Sequence, residues 1–476
     1  MPPSPEANPA PFQVLITAAQ AWPAFEQAIL SAEREILMGF RIFDLATKLR
    51  SDAARAIGED WFDLLAHKLG QGVRIRLVVS DFDPVMGEEL HHLSMSTLRQ
   101  GAALREVAGP AADLHVAAAL HPARAGQIWR SVLGPLARKQ RKKTPPFATV
   151  TQHQKLATID REWLYIGGLD LNERRFDTQA HDRPSDETWT DVQLLLRGPE
   201  AIEAAEHLES FVAQTHGAPP QREMQYLRRT LSRPRDLQTF HLSPKTVLSE
   251  IETAHLEGIR DAQHLIYIET QFLRSSRIAR ALARAAMEKP LLRLILVLPA
   301  MPDDVAFEHN RDLDARYGLW LSHQALKRVK EAFGPRLSIL SPVRPRTAPG
   351  EGLNTLADAP IIYVHSKVFI ADDRFALVGS ANLNGRSLRW DTEAAVAVRD
   401  PARVDMLRSA ICAHWWRGAA PAEALDLHAA QGWWRDAAHD NLRTAPSQRY
   451  GFLVPHDRDR APDLRVPLPG ITEDIV

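Results

Sequence analysis

The sequence predicts an α/β protein built from two similar sandwich halves, each a mixed central sheet flanked by helices, related by a pseudo-twofold axis. Three observations predict it. Apolar runs of strand length recur, helical stretches lie between them, and the same order of elements appears twice along the 476 residues. Strands alternating with helices imply a layered α/β architecture, and self-similarity along a chain implies duplicated structural units.

The elements follow in order. AILSAEREILMGFRIFD (28–44) and GIRDAQHLIYIETQFL (258–273) each read as a helix end running into an apolar strand. VRIRLVVSD (73–81) and LRLILVLP (292–299) come next, as strands apolar enough to be buried on both faces. Helical stretches such as AARAIGEDWFDLLAHKLG and IARALARAAMEK separate them. Each half then carries a motif strand, TQHQKLATIDREWLYIGGLD (151–170) and YVHSKVFIADDRFALVGSAN (363–382). A last strand closes each half, TDVQLLLRGP (190–199) and TEAAVAVRDP (392–401). On this reading 1–12 is a flexible tail, 13–215 the first half, 216–240 a connector rich in Pro and Arg, 241–440 the second half and 441–476 a C-terminal extension.

Composition narrows the function classes. The chain is 45% hydrophobic and 25% charged with a net charge of -1, an ordinary globular balance with no global field toward nucleic acid or an anionic bilayer. Its single cysteine, Cys412, excludes an internal disulfide and a cysteine-built metal site, and fits a reducing compartment. No secretory leader and no spanning helix are read. A cytoplasmic location with peripheral contact to a membrane is therefore expected.

The chemistry sits in the paired motif. His153, Lys155 and Asp160 stand at H-x-K-x4-D, followed by Gly167, Gly168, Leu169 and Asp170. His365, Lys367 and Asp372 repeat the spacing, followed by Gly379, Ser380, Ala381 and Asn382. On a strand, positions i and i+2 share a face, so each His and Lys should point to one pocket. A neutral imidazole can attack an anionic phosphodiester and form a covalent phosphoryl-histidine. A second imidazole can protonate the leaving alcohol, and two lysines can offset charge on the non-bridging oxygens. Ser380 and Asn382 can add hydrogen bonds there, and Gly168 and Asp170 occupy the matching places in the first copy. Each imidazole needs a carboxylate to hold its tautomer. Asp191 and Glu393, at the start of the matching last strands, are the candidates. Glu269 and Gln271, in the YIETQF run, either line the pocket or end a strand.

The paired motif, the GGLDL and YIETQF runs and GSANLNGRS resemble the phospholipase D superfamily, and are similar to its eukaryotic-type branch over roughly residues 25–400. The resemblance implies the fold of that superfamily and a phospholipase D that cleaves the distal phosphodiester of phosphatidylcholine or a related lipid. Phosphatidate and the headgroup alcohol would be released, with transfer to added alcohols. It implies one His as nucleophile, favouring His153, and the other as acid and then base; the residues themselves do not break that symmetry. It also implies a crossed arrangement in which Asp191 orients His365 and Glu393 orients His153. Asp160 and Asp372 then read as framework despite their place in the motif. No cofactor and no metal are expected.

Other readings come from the same residues. A cardiolipin synthase-type phosphatidyltransferase would share the chemistry with a lipid alcohol as acceptor. A nuclease is disfavoured because such enzymes are mostly short single-copy dimers, and retention of all six motif residues argues against a silent lipid-binding protein. The expected partners are a phospholipid at a membrane surface and a water or alcohol acceptor, with nucleic acid disfavoured. A monomer can complete the site. The basic run Arg138, Lys139, Gln140, Arg141, Lys142 and Lys143 is read as an anionic-headgroup or polynucleotide contact at the pocket mouth rather than a solvated loop, and the pairs Trp415–Trp416 and Trp433–Trp434 as core.

Overall fold

The computed structural model describes residues 11–84, 87–126, 148–187, 189–236, 241, 243–418 and 421–475. The first half supplies β1 (Phe12–Ile16), β2 (Glu35–Phe40), β3 (Arg74–Ser80), β4 (Leu114–Ala119), β5 (Leu156–Ile159), β6 (Trp163–Gly167) and β7 (Val192–Arg197). They form one seven-stranded sheet in the order β1-β7-β6-β5-β2-β3-β4. The rest of the chain supplies β8 (Leu227–Arg233), β9 (Lys245–Ser249), β10 (Leu265–Glu269), β11 (Arg293–Val297) and β12 (Leu337–Pro342). A small hairpin, β13 (Thr355–Leu356) and β14 (Ala359–Pro360), precedes β15 (Val368–Ala371), β16 (Phe375–Gly379), β17 (Glu393–Val398) and β18 (Leu453–Pro455). Outside the hairpin these form a nine-stranded sheet in the order β18-β12-β11-β10-β15-β16-β17-β8-β9.

The duplication is visible strand by strand. β2, β3 and β4 pair in parallel, as do β10, β11 and β12. β5 then runs antiparallel to β2 and β15 antiparallel to β10. β6 and β7 continue the first sheet, β16 and β17 the second, and each is followed by an antiparallel strand, β1 or β8. The EILMGF run of β2 is buried at every position, as expected for a strand covered on both faces. Flanking helices are fixed by local chemistry: the Ser275 side chain accepts from the Ile278 amide at the start of the helix Ser276–Glu288, whose Ile278, Leu282 and Ala286 face inward at helical spacing.

The halves share a core. Leu37, Leu156, Leu194 and Phe211 of the first half pack in one cluster with Tyr267, Val368, Val396 and Trp415 of the second. Full burial of such side chains is worth about 1.5–3 kcal/mol each, so this cluster ties the halves together. Trp415 and Trp416 are fully buried and Trp434 nearly so, with Trp433 edge-on to Trp416.

Several boundaries differ from the sequence reading. The connector placed at 216–240 contains β8, which joins the second sheet against β17. Its charged residues hide it: Arg229 is buried and held by Glu250 at 2.8 Å. The tail placed at 1–12 ends inside β1, and residues 1–10 lie outside the described residues. The extension placed at 441–476 holds the end of the helix Ala430–Arg443 and β18, which pairs with β12.

Three buried histidines make stability pH-dependent. Burial holds His121 and His255 down at about 4 and His207 at about 3. In the unfolded chain each takes a proton near pH 6.5. Between those values the unfolded state binds more protons, so stability falls as pH drops through about 6.5 toward 4, by up to ~1.4 kcal/mol per pH unit per histidine. A thermal scan from pH 7.5 to 5 is expected to show a falling melting temperature, less steeply in His207→Gln. An invariant melting temperature would contradict this.

Candidate active site

The two motif segments do not lie on strands. His153 and Lys155 precede β5, and His365 and Lys367 precede β15, because the segments leave their own sheets to pair across the molecule. Thr392 O accepts from the His153 amide at 2.8 Å and the Gln154 amide at 3.0 Å, while Thr190 O accepts from the His365 amide at 2.8 Å. The bridges Gln152–Thr392 and Thr190–Val364 are both parallel and exchange equivalent positions, as a twofold relation requires.

This pairing places the carboxylates. The residue after each threonine stands at the entry of the last strand of its half, Asp191 just before β7 and Glu393 as the first residue of β17, and meets the imidazole of the other half. Glu393 lies 3.0 Å from His153 Nδ1, and Asp191 lies 2.7 Å from His365 Nδ1. Both carboxylates have no exposed surface. Each holds Nδ1 and leaves Nε2 as the reactive nitrogen.

Ser380 and Gly168, read as phosphate binders, lie against the orienting carboxylates. Ser380 Oγ donates to Glu393 and takes a hydrogen bond from the Ala394 amide. Gly168 stands at the matching place, where a Cβ would lie 2.4 Å from Asp191 Oδ1. The longer Glu393 is thus braced by a hydroxyl, and the shorter Asp191 is given room by a missing side chain and braced by the Val192 amide at 2.9 Å.

Lys155 Nζ donates to His153 O at 2.6 Å, and Lys367 Nζ donates to His365 O. Lys155 also lies 3.8 Å from Asp170. Asp170 accepts from the Ile42 amide at 3.0 Å; an anionic group in that place repels a phosphate, so it serves the lysine and the backbone. Asn382, its counterpart, has a buried Oδ1 with no partner. Burial pushes both lysines below their ordinary range and both orienting carboxylates above theirs. Burial, and then the neighbouring cations, hold both imidazoles well below theirs.

Asp160 and Asp372 are structural clamps. The Asp160 carboxylate accepts from the amides of Glu33, Arg34 and Glu35 at 2.7–2.8 Å. Asp372 accepts from Gln263, His264 and Leu265 at 2.8–2.9 Å. Each ties the turn after β5 or β15 to the entry of the neighbouring antiparallel strand, β2 or β10.

Glu269 ends β10. It is buried and accepts from Tyr267 Oη at 2.7 Å, Trp415 Nε1 at 2.9 Å and Ser366 Oγ. Gln271 donates to Tyr363 Oη. The basic run 138–143 lies outside the described residues.

Four residues at the site escaped the sequence reading. Trp189 packs 4.6 Å from the His365 ring and 4.9 Å from Tyr363, Arg175 stacks on Trp189, and the charge of Arg41 reaches His153 and Lys155. Repeat register could have found Arg41. Gly39 pairs with Leu156 as Glu269 pairs with Val368, which makes Arg41 the counterpart of Gln271.

A cavity of about 730 Å³, lined by Val78, Ala117, Gln152, Phe211 and Thr392 among others, lies behind the motif segment and is not bordered by either histidine. Among the described residues no His, Cys, Asp or Glu cluster could hold a metal ion, and no helix is long and apolar enough to cross a membrane.

A duplicated α/β frame with one imidazole–lysine pair from each half, braced across the interface, defines the class of protein. The family described as "Cardiolipin synthase, PLD-like domain" matches residues 255–415. Phospholipase D1 of Schizosaccharomyces pombe is 26% identical over 351 residues, 53% of this chain and 25% of that protein. Phospholipase D2 of Bos taurus is 30% identical over 182 residues, 33% of this chain and 19% of that protein. The crystal structure of phosphatidylserine synthase from Haemophilus influenzae Rd KW20 superposes with a TM-score of 0.53 at 12% identity, covering 85% of this chain and 86% of that one. The chain belongs to the phospholipase D superfamily, and it spans about a quarter or less of the length of these curated phospholipases.

Proposed function

We propose that the chain is a phospholipase D, cleaving the distal phosphodiester of a glycerophospholipid through a phosphohistidine and passing the phosphatidyl group to water or an alcohol. The observation that supports this reading is the pair of crossed imidazole–carboxylate contacts, which hold Nδ1 of each histidine and leave one Nε2 from each half for chemistry. In the first step His153 Nε2 bonds to phosphorus, the bond to the headgroup oxygen breaks, and His365 gives that oxygen its proton. In the second step His365 takes the proton of the incoming hydroxyl, whose oxygen displaces His153 from phosphorus. His153 needs to be neutral for attack, which its burial favours. The negative charge of the entering phosphodiester raises the proton affinity of His365 and of both lysines, so substrate arrival charges the groups that act on it. Catalysis at a membrane surface, from the cytoplasmic side and by a monomer, completes the reading.

The description of the matched family favours one variant, transfer to a lipid alcohol. The test serves both. Incubation with a mixed lipid extract and ethanol is expected to yield phosphatidylethanol beside phosphatidate, the former rising with ethanol concentration. Consumption of no lipid, or phosphatidate alone at every ethanol concentration, would contradict the reading.

A further inference from the structure

Arg175 is 8% exposed, and its Nη1 is buried without a hydrogen-bond partner. Its guanidinium lies 3.6 Å over the Trp189 ring, whose other neighbours are His365 and Tyr363. Arg41 shows the same pattern, with a buried and unpartnered Nε and its guanidinium over Phe82 at 5.4 Å. Among the described residues neither forms an ion pair. Their neighbours do: Arg174 meets Glu308 at 3.3 Å and Asp303 at 3.7 Å, and Arg386, whose charge reaches His153, is held by Asp391 at 2.9 Å. The second half has no counterpart to Arg175, since Ser387 stands at the same spacing beyond Lys367.

The charges of Asp170 and Asp303 reach Arg175 without coming within ion-pair distance, and burying a guanidinium with no hydrogen-bonded counter-charge is costly unless a ligand supplies one. The planar fork of arginine suits the paired oxygens of phosphate. Arg175 stands across the Trp189 ring from His365, and its charge reaches that imidazole. The ring faces also matter. A quaternary ammonium headgroup is recognised by open aromatic faces, and here the faces of Trp189 and Phe82 already carry guanidinium groups. Burial holds Arg175 below its ordinary range, at about 10, which an adjacent anion would reverse.

We propose that Arg175, with Arg41 beside it, forms a second anion subsite on the leaving-alcohol side of the site, so that the preferred substrate is a phospholipid whose headgroup carries an anionic group of its own rather than choline. This rests on the phospholipase reading given above. The test compares cardiolipin with phosphatidylcholine in mixed micelles whose anionic detergent content is adjusted so that both preparations carry the same surface charge. The wild-type chain is expected to favour cardiolipin in kcat/KM by about tenfold or more, the scale of one charge-assisted hydrogen-bonded contact. Arg175→Gln is expected to collapse that ratio, and Arg175→Lys to restore part of it. Preference for phosphatidylcholine overturns the subsite, as does an equal loss on both lipids in Arg175→Gln at an unchanged melting temperature. Cleavage of a single-stranded oligonucleotide with the same Arg175 dependence overturns the lipid assignment. Turnover of neither lipid, in an extract or in micelles, instead overturns the phospholipase reading.

Discussion

His153→Ala and His365→Ala are each expected to lower kcat/KM by on the order of 10⁴-fold or more, the size seen when one member of a concerted catalytic unit is removed. The two losses should not add in the double variant, because each histidine is useless without the other. The melting temperature of each variant should stay within about 2 °C of the parent. Neither side chain is wholly enclosed, at 12% and 6% exposed, and the carboxylate left behind each can take up a proton, since burial already raises Asp191 and Glu393. Asparagine variants offer a check on folding with a polar group retained. Wild-type turnover in either alanine variant would remove the two-histidine mechanism.

Asp372→Ala has the largest expected effect on stability, with Asp160→Ala behind it. The Asp372 carboxylate satisfies three amides at the entry of β10, and Asp372 is 7% exposed. Removing an anionic acceptor from buried donors costs about 1–3 kcal/mol per stranded group, short of additive. Both aspartates also have positive φ, 53° and 54°, a conformation that Asp tolerates better than Ala. A total of about 3–5 kcal/mol follows, and a fall in melting temperature of roughly 3–5 °C for a chain of this length. Asp160→Ala should cost less, because the amides of Glu33 and Arg34 are exposed to solvent that can replace the carboxylate. The folded fraction of either variant should still turn over substrate. A stable but inactive Asp372→Ala protein would return these aspartates to the chemistry.

The contrast between those two predictions shows what the sequence carried. Spacing alone brought out both H-x-K pairs and the order of strands, since local periodicity and repetition survive in one dimension. The crossing of Asp191 to His365 and Glu393 to His153 entered through family resemblance, because the bridges that create it join residues 174 and 240 positions apart. Gly168 and Ser380 looked like a phosphate cradle by their spacing. Their work is to fit carboxylates of two lengths, which only the packing around Asp191 and Glu393 reveals. β8 was hidden for a related reason. Its LRRTLSR sequence reads as polar linker, and the Glu250 that neutralises Arg229 belongs to the next helix. Arg175 and Trp189 stand 14 residues apart in sequence and meet only in the fold.

The central claim is that the halves build one site in which His153 carries the phosphatidyl group. Rapid quench of the enzyme with short-chain phospholipid into denaturant held at neutral to mildly alkaline pH, where the histidine N–P bond survives, followed by peptide mass spectrometry at that pH, tests it most directly. The expected result is a phosphatidyl adduct on the peptide containing His153, accumulating in Asp191→Asn, where His365 is poorly oriented to activate water, and absent from His153→Ala. An adduct on His365 would reverse the assigned roles, and turnover with no adduct on either histidine would contradict the covalent route.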